Sequence, residues 1–245
     1  MPFLSRIQTK DIPPHLSQNY PFTIPSIAQG LDIDLHSNVT FLVGENGSGK
    51  STILEAVADQ CGFNPSGGNR NHQYNFHRTE SDLSNFVRLS WNPVKVTQGF
   101  FLRAETFFNF ATYIDRLEEG SPGAVDAYGG KSLHHQSHGE SFLALFNNRF
   151  HKGIYLLDEP EAALSPQRQL TFLTIVHKLE SSGLAQFIIA THSPMLLTYP
   201  GATLLSLDEE GISETNYQDT EHFQLTRRFL EAPEAYYRFL FAEDE

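Results

Sequence analysis

The stretch Gly44-Glu45-Asn46-Gly47-Ser48-Gly49-Lys50-Ser51-Thr52 constrains this chain more than any other. It meets the pattern G-x-x-x-x-G-K-[ST] at every required position. Residues 39–43 ahead of it are mostly apolar, as in a buried strand. Behind it, Ile53, Leu54, Val57 and Cys61 recur on one face of a helix that starts near Ser51. A turn between such a strand and helix can close its backbone N–H groups around an anion, through Gly44, Asn46, Gly47, Ser48 and Gly49. Lys50 brings a point charge to the β- and γ-phosphates, Ser51 a hydroxyl to Mg²⁺, and Thr52 continues the first helical turn. The helix dipole points at the same anion. The reading is a phosphate-binding loop with ATP and Mg²⁺ as its ligands.

The rest of the chain has the rhythm of a layered α/β fold. Residues 31–35 alternate apolar and acidic, as on a half-buried strand, and residues 86–91 have strand character. Residues 62–81 are rich in Gly, Asn, His and Ser and read as a loop or irregular lobe. Residues 105–119 and 141–150 read as helices, the first with an aromatic stripe of Phe107, Phe108, Phe110 and Tyr113, and residues 120–131 as a connector. Buried strands are expected at 154–157 and 187–190, around a helix that Ser165-Pro166 opens. Such alternation implies a mostly parallel sheet with right-handed crossovers. Residues 202–207 and 212–215 suggest a hairpin, followed by short helices at 222–230 and 234–241. Cys61 is expected in the core at the far end of its helix.

Two further segments carry chemistry. In Ile154-Tyr155-Leu156-Leu157-Asp158-Glu159-Pro160 an apolar strand ends in a carboxylate, which places Asp158 in the Mg²⁺ shell. Glu159 follows as a candidate general base for the attacking water. In Ala190-Thr191-His192-Ser193-Pro194 a histidine leaves a buried strand, within reach of a terminal phosphate on the same sheet. A tight group of His134, His135 and His138, with His72 and His77 elsewhere, raises zinc as a rival, but no cysteine or carboxylate set completes such a site.

In this constellation residues 31–207 resemble the ABC-type ATPases. The resemblance is closest to compact, non-transporter members with SMC-like and overcoming-lysogenization-defect-like relatives. It implies a P-loop NTPase fold: a mostly parallel ABC-ATPase-like core with an antiparallel β subdomain and a helical lobe near 100–150. One such domain would span 1–245, with a C-terminal hairpin and helices at 202–245. The resemblance assigns Gln98 to a glutamine loop that contacts Mg²⁺ and the water, and His192 to the γ-phosphate. Gln136-Ser137-His138-Gly139-Glu140 keeps the serine and second glycine of the signature motif, so Ser137 and Gly139 would complete the ATP site of a second copy. His138 and Glu140 depart from that motif, and Ser165 replaces the usual aspartate of the D-loop. An adenine-stacking aromatic is expected upstream, with Tyr20 and Phe22 as candidates.

Composition limits the alternatives. With about 40% apolar and 19% charged residues the chain has ordinary globular character. No apolar run approaches the roughly 18 residues of a membrane span, the start lacks a secretory h-region, and the single cysteine fits a reducing cytosol. A cytoplasmic location is therefore expected. A net charge of −12 disfavours nucleic acid as a partner. The expected activity is ATP hydrolysis by an ATP-dependent homodimer, with an unidentified protein partner left open. The alternatives are a dimerising module with negligible turnover, the ATPase subunit of a transporter, and a small-molecule kinase. The kinase leaves Asp158, Glu159 and His192 unexplained, and the absence of sustained heptads argues against a coiled-coil chromosome tether.

Overall fold

The computed structural model describes residues 1–65, 67–69, 81–93, 96–120, 123, 125–128, 130, 132, 134 and 138–241. In chain order it runs β1 (Leu4–Thr9), α1 (Pro25–Ala28), β2 (Asp32–Asp34), β3 (Val39–Val43), α2 (Lys50–Cys61), α3 (Leu83–Phe86), β4 (Val87–Trp91) and β5 (Gly99–Arg103). There follow α4 (Phe107–Gly120), α5 (His138–Arg149), β6 (Gly153–Asp158), α6 (Pro166–Ser181), β7 (Ala185–Ala190) and α7 (Pro194–Leu197). A hairpin of β8 (Thr203–Asp208) and β9 (Gly211–Thr215) leads to α8 (Glu221–Glu231) and α9 (Pro233–Leu240).

The central sheet has the order β5-β6-β7-β3-β8-β9. Its strands are parallel except for β9, which returns antiparallel to β8. A second, antiparallel sheet, β2-β1-β4, lies beside it. The inner strands β3, β6 and β7 bury both faces, so successive residues feed two different cores. Phe41, Phe100, Tyr155, Leu157 and Phe187 enter an aromatic core with Phe107, Phe110, Phe142, Phe146, Phe150 and Phe172. Their neighbours Leu42, Phe101, Leu156 and Ile188 enter a mainly aliphatic core with Ile53, Leu54, Val57 and Cys61 of α2. The high phenylalanine content is thus concentrated where α4, α5 and α6 cover one face of the sheet.

The two sheets are tied together by one buried amide. Gln186 at the start of β7 is fully buried. Its Oε1 accepts from the N–H groups of Phe3 and Leu4, each at 2.8 Å, and its Nε2 donates to Leu4 O at 2.9 Å. A buried amide is tolerated only when its groups are paired in this way.

Strand β1 was not read from the sequence, and two further elements lie differently from that reading. Residues 99–103 form the edge strand β5 of the central sheet rather than the beginning of the helical lobe. The aromatic pair Phe100-Phe101 serves one residue to each core, which is strand behaviour. Helix α5 also begins earlier than expected, at His138. No helix among the described residues is long and apolar enough to cross a membrane.

Candidate nucleotide site

Parallel strands deliver their carboxyl ends to one edge, where open α/β sheets bind ligands. Here β3 ends in the loop 44–49, β6 in Asp158 and β7 just before Thr191 and His192. Register aligns them: Leu42 and Asp158 both lie opposite Ala190, and Arg103 lies opposite Asp158. The backbone of the loop explains its glycines. At Gly44 (φ 150°) a Cβ would stand 2.3 Å from Leu207 O, so β8 can pass only if no side chain is present. Gly47 and Gly49 also take positive φ, 81° and 99°.

Lys50 is buried and turns back over the loop, donating to Gly44 O at 2.8 Å and Glu45 O at 3.0 Å. Burial lowers its pKa, against the pull of Glu159, Asp158 and Glu45. Ser51 Oγ donates to Asp158 Oδ1 at 3.0 Å, which brings together the two residues expected to hold Mg²⁺. Burial raises the Asp158 pKa to about 6, although Arg103 and the Ser51 hydroxyl oppose it. Thr52 is buried in the first turn of α2, and its Oγ1 lies 3.1 Å from the Tyr20 hydroxyl.

Glu159 leaves β6 in the left-handed region, at φ 50° and ψ 52°. Its N–H still donates to Ala190 O at 2.9 Å, which pins the turn to the end of β7. The side chain is half-exposed, with Oε1 3.5 Å from Nε2 of His192. The backbone N–H of His192 donates to Glu161 Oε1 at 2.6 Å. Its Nδ1 lies 2.8 Å from Nε2 of His222, at the start of α8. Burial first, then Lys50 and His222, lowers the His192 pKa.

The structure does not bring Gln98 to this place, which corrects the glutamine-loop expectation. Gln98 is exposed, ahead of β5, and its carbonyl accepts from Ile154 N at the start of β6. At about 3.3 Å per strand residue, it sits roughly 16 Å from the Asp158 end. Arg103 and Glu105 stand there instead. The Arg103 guanidinium pairs with Glu55, Glu105 and Asp158, the last at 3.5 Å. With three carboxylates against one cation and burial as the largest effect, the Glu55 pKa rises to about 7. A cleft of about 250 Å³ lined by Ser51, Arg103, Glu105, Asp158 and Glu159 opens on this side of the site. A larger one of about 510 Å³ lies between the loop and His222.

Phe22 is also excluded from stacking on a base: it is buried and meets Phe86 edge-on at 5.4 Å. Tyr20, about 65% exposed, stays available for that role. Ser137 lies outside the described residues, as do His72, His77 and His135. Gly139 is buried in the first turn of α5, where a Cβ would come 2.5 Å from Arg168 Nη1 and 3.1 Å from Ala163 O. Its missing side chain therefore seats α5 against the turn after β6. Arg168 pairs with Glu140 at 3.2 Å. Ser165 occupies the N-cap of α6, but its side chain makes no capping bond.

Sequence reasoning missed Glu55, Glu105, Glu161 and His222. Glu55 had a signal, since it lies one helical turn after Ser51 and shares its face. No spacing rule connects His222 to His192.

Parts of the chain are similar to known proteins. Residues 22–121 match a family model described as an AAA domain. Residues 142–198 match a second AAA-domain model, whose description also names the AbiEii toxin and a type IV TA system. The tungstate uptake system ATP-binding protein TupC of Campylobacter jejuni is 23% identical over 231 residues, covering 80% of this chain. The chain spans 66% of the length of that relative. A metal-chelate type ABC transporter in an inward-facing conformation superposes with a TM-score of 0.50 at 16% identity, covering 91% of this chain and 87% of its own. The SMC head domain from Thermotoga maritima gives a TM-score of 0.47 at 16% identity, covering 88% and 99%. The superposition on the ABC transporter chain shows a shared fold, and the two AAA-domain models cover the segments that hold residues 44–52 and 154–194.

Proposed function

We propose that this chain hydrolyses ATP as a nucleotide-driven switch, with ATP held between two copies of the chain. The observation that carries this reading is the convergence of Lys50, the Ser51–Asp158 pair, Glu159 and His192 at the carboxyl ends of β3, β6 and β7. The residues fit Mg-ATP. Ser48 Oγ and His192 Nε2 are buried polar atoms without a hydrogen-bond partner, on the loop and on the strand end that face the phosphates. Ser51 and Asp158 form an oxygen donor pair suited to Mg²⁺. When bound, Mg²⁺ neutralises charge on the β- and γ-phosphates.

In this reading Lys50 leaves its loop carbonyls for the phosphates, and Glu159 accepts the proton of the attacking water. His192 donates from Nε2 to the terminal phosphate. In one chain the Glu159 side chain stays half-exposed, 3.5 Å from His192. A second copy would close the site with the segment of Ser137 and Gly139. Within one chain Gly139 is buried against Arg168 and Ala163, so this placement rests on the resemblance of the motif.

The likeness to an uptake-system ATP-binding protein favours one other reading, an ATPase subunit that acts only when docked on a partner. Light scattering and phosphate release, with and without Mg-ATP, separate the two. The expected result is an ATP-dependent dimer of Glu159→Gln and turnover at least about a hundredfold below wild type. If Glu159→Gln binds ATP without any change of mass, and wild-type turnover does not rise with protein concentration, the two-copy site is wrong.

A further inference from the structure

Helix α8 reaches back to the nucleotide site through His222. Its first turn is held by Thr220, buried, whose Oγ1 donates to Tyr217 O at 2.7 Å, and by Phe223 set edge-on against Tyr217 at 5.1 Å. This anchorage places His222 Nε2 2.8 Å from His192 Nδ1 and 3.5 Å from Gly44 O. The two rings meet at 74°, with centroids 4.6 Å apart.

The neighbours decide where the protons sit. A carbonyl and a carboxylate accept hydrogen bonds and cannot donate them. Gly44 O beside His222 Nε2 therefore favours a proton on that nitrogen. Glu159 Oε1 beside His192 Nε2 favours a proton there too. With one proton on each ring, both preferences are met in only one arrangement: His222 Nε2–H donates to the bare Nδ1 of His192. The reverse arrangement leaves two lone pairs facing acceptors, Gly44 O and Glu159 Oε1.

We propose that His222 is a positioning residue for hydrolysis: by donating to Nδ1 it holds His192 as the Nε2–H tautomer, with that proton aimed at the terminal phosphate. This rests on the reading of His192 given above. Nε2 of His192 is buried and has no hydrogen-bond partner, as expected of a donor kept for a ligand. Lys50, Glu45 and Glu159 are the other charged groups facing His192, and Glu161 accepts from its backbone N–H, so none of them competes for Nδ1. His222 thus does for His192 what a partner on the second ring nitrogen does for any histidine that must present a defined tautomer.

The test compares His222→Gln, whose amide can still donate, with His222→Leu, which cannot, in the full chain. Nitrogen-15 NMR of histidine-labelled protein, with the His192 signals assigned through His192→Gln, reads the tautomer without any need for turnover. The expected result is an Nε2–H His192 in wild type and His222→Gln, and a mixture of tautomers in His222→Leu. Mg-ATP turnover should fall about tenfold or more in His222→Leu with KM little changed, and stay near wild type in His222→Gln. In a His192→Ala background His222→Leu should have no further effect. A His192 protonated on Nδ1 in wild type, or equal losses in the Gln and Leu variants, would overturn the inference. If His192→Ala itself leaves turnover intact, the reading of His192 fails, while the tautomer still reports on His222.

Discussion

Among the described residues, Glu159 is the one non-glycine at positive φ, and the site depends on that turn. A left-handed conformation costs an L-residue about 1–2 kcal/mol. Here it throws the carboxylate toward His192 directly after Asp158. Glu159→Gly should therefore raise stability, by about 1 kcal/mol or less after the entropy of glycine is counted. Turnover should fall by at least about a hundredfold, with urea unfolding and phosphate release as the two measurements. Glu55 carries a second prediction at this scale. Its pKa is raised to about 7 in the fold from an ordinary 4.5, so the native state binds more protons than the unfolded chain between those values. Stability without nucleotide should then fall as pH rises from about 5 to about 7. Asp158, raised to about 6, acts in the same direction. In Glu55→Gln, the slope of the urea midpoint against pH should flatten.

The helices divide into those that build the core and those laid on its surface. Phe146 of α5 is 1% exposed and packs on Phe142, Phe150 and Phe172, with ring centroids 4.3–5.0 Å apart. Phe146→Ala should cost about 3–5 kcal/mol, read from urea unfolding. Phe239 of α9 is 83% exposed in a helix with no buried residue. Phe239→Ala should change stability by less than about 0.5 kcal/mol. From sequence, the two aromatic segments look alike. The strands β3, β6 and β7 were legible because a strand buried on both faces needs a nearly continuous apolar run, and the β8–β9 hairpin because Asp208-Glu209-Glu210-Gly211 marks its turn. Strand β5 was not, since an aromatic run beside a helical stripe fits a lobe equally well. Which reading holds depends on whether β6 has a free edge for it.

At the scale of the whole molecule, charge and closure oppose one another. Each chain carries −12, so two copies brought face to face repel, and salt screens that repulsion. The ATP-bound dimer expected of Glu159→Gln should therefore tighten as ionic strength rises from about 0.02 to about 0.15 M, where the Debye length shrinks to about 8 Å. Sedimentation at several salt concentrations measures this, and weakening with salt would mean that local charge complementarity dominates the interface. The glycine-rich turn at 44–49, the carboxylate at the end of β6 and the layered α/β plan were readable from the chain alone. Each of these depends on residues close together in the chain, where spacing sets geometry directly. That Gln98 lies at the far end of β5 from Asp158, that Arg103 gathers Glu55, Glu105 and Asp158, and that His222 meets His192 emerged from the folded chain. Those relations depend on strand register and on where a distant helix comes to rest, and packing across the sheet sets both.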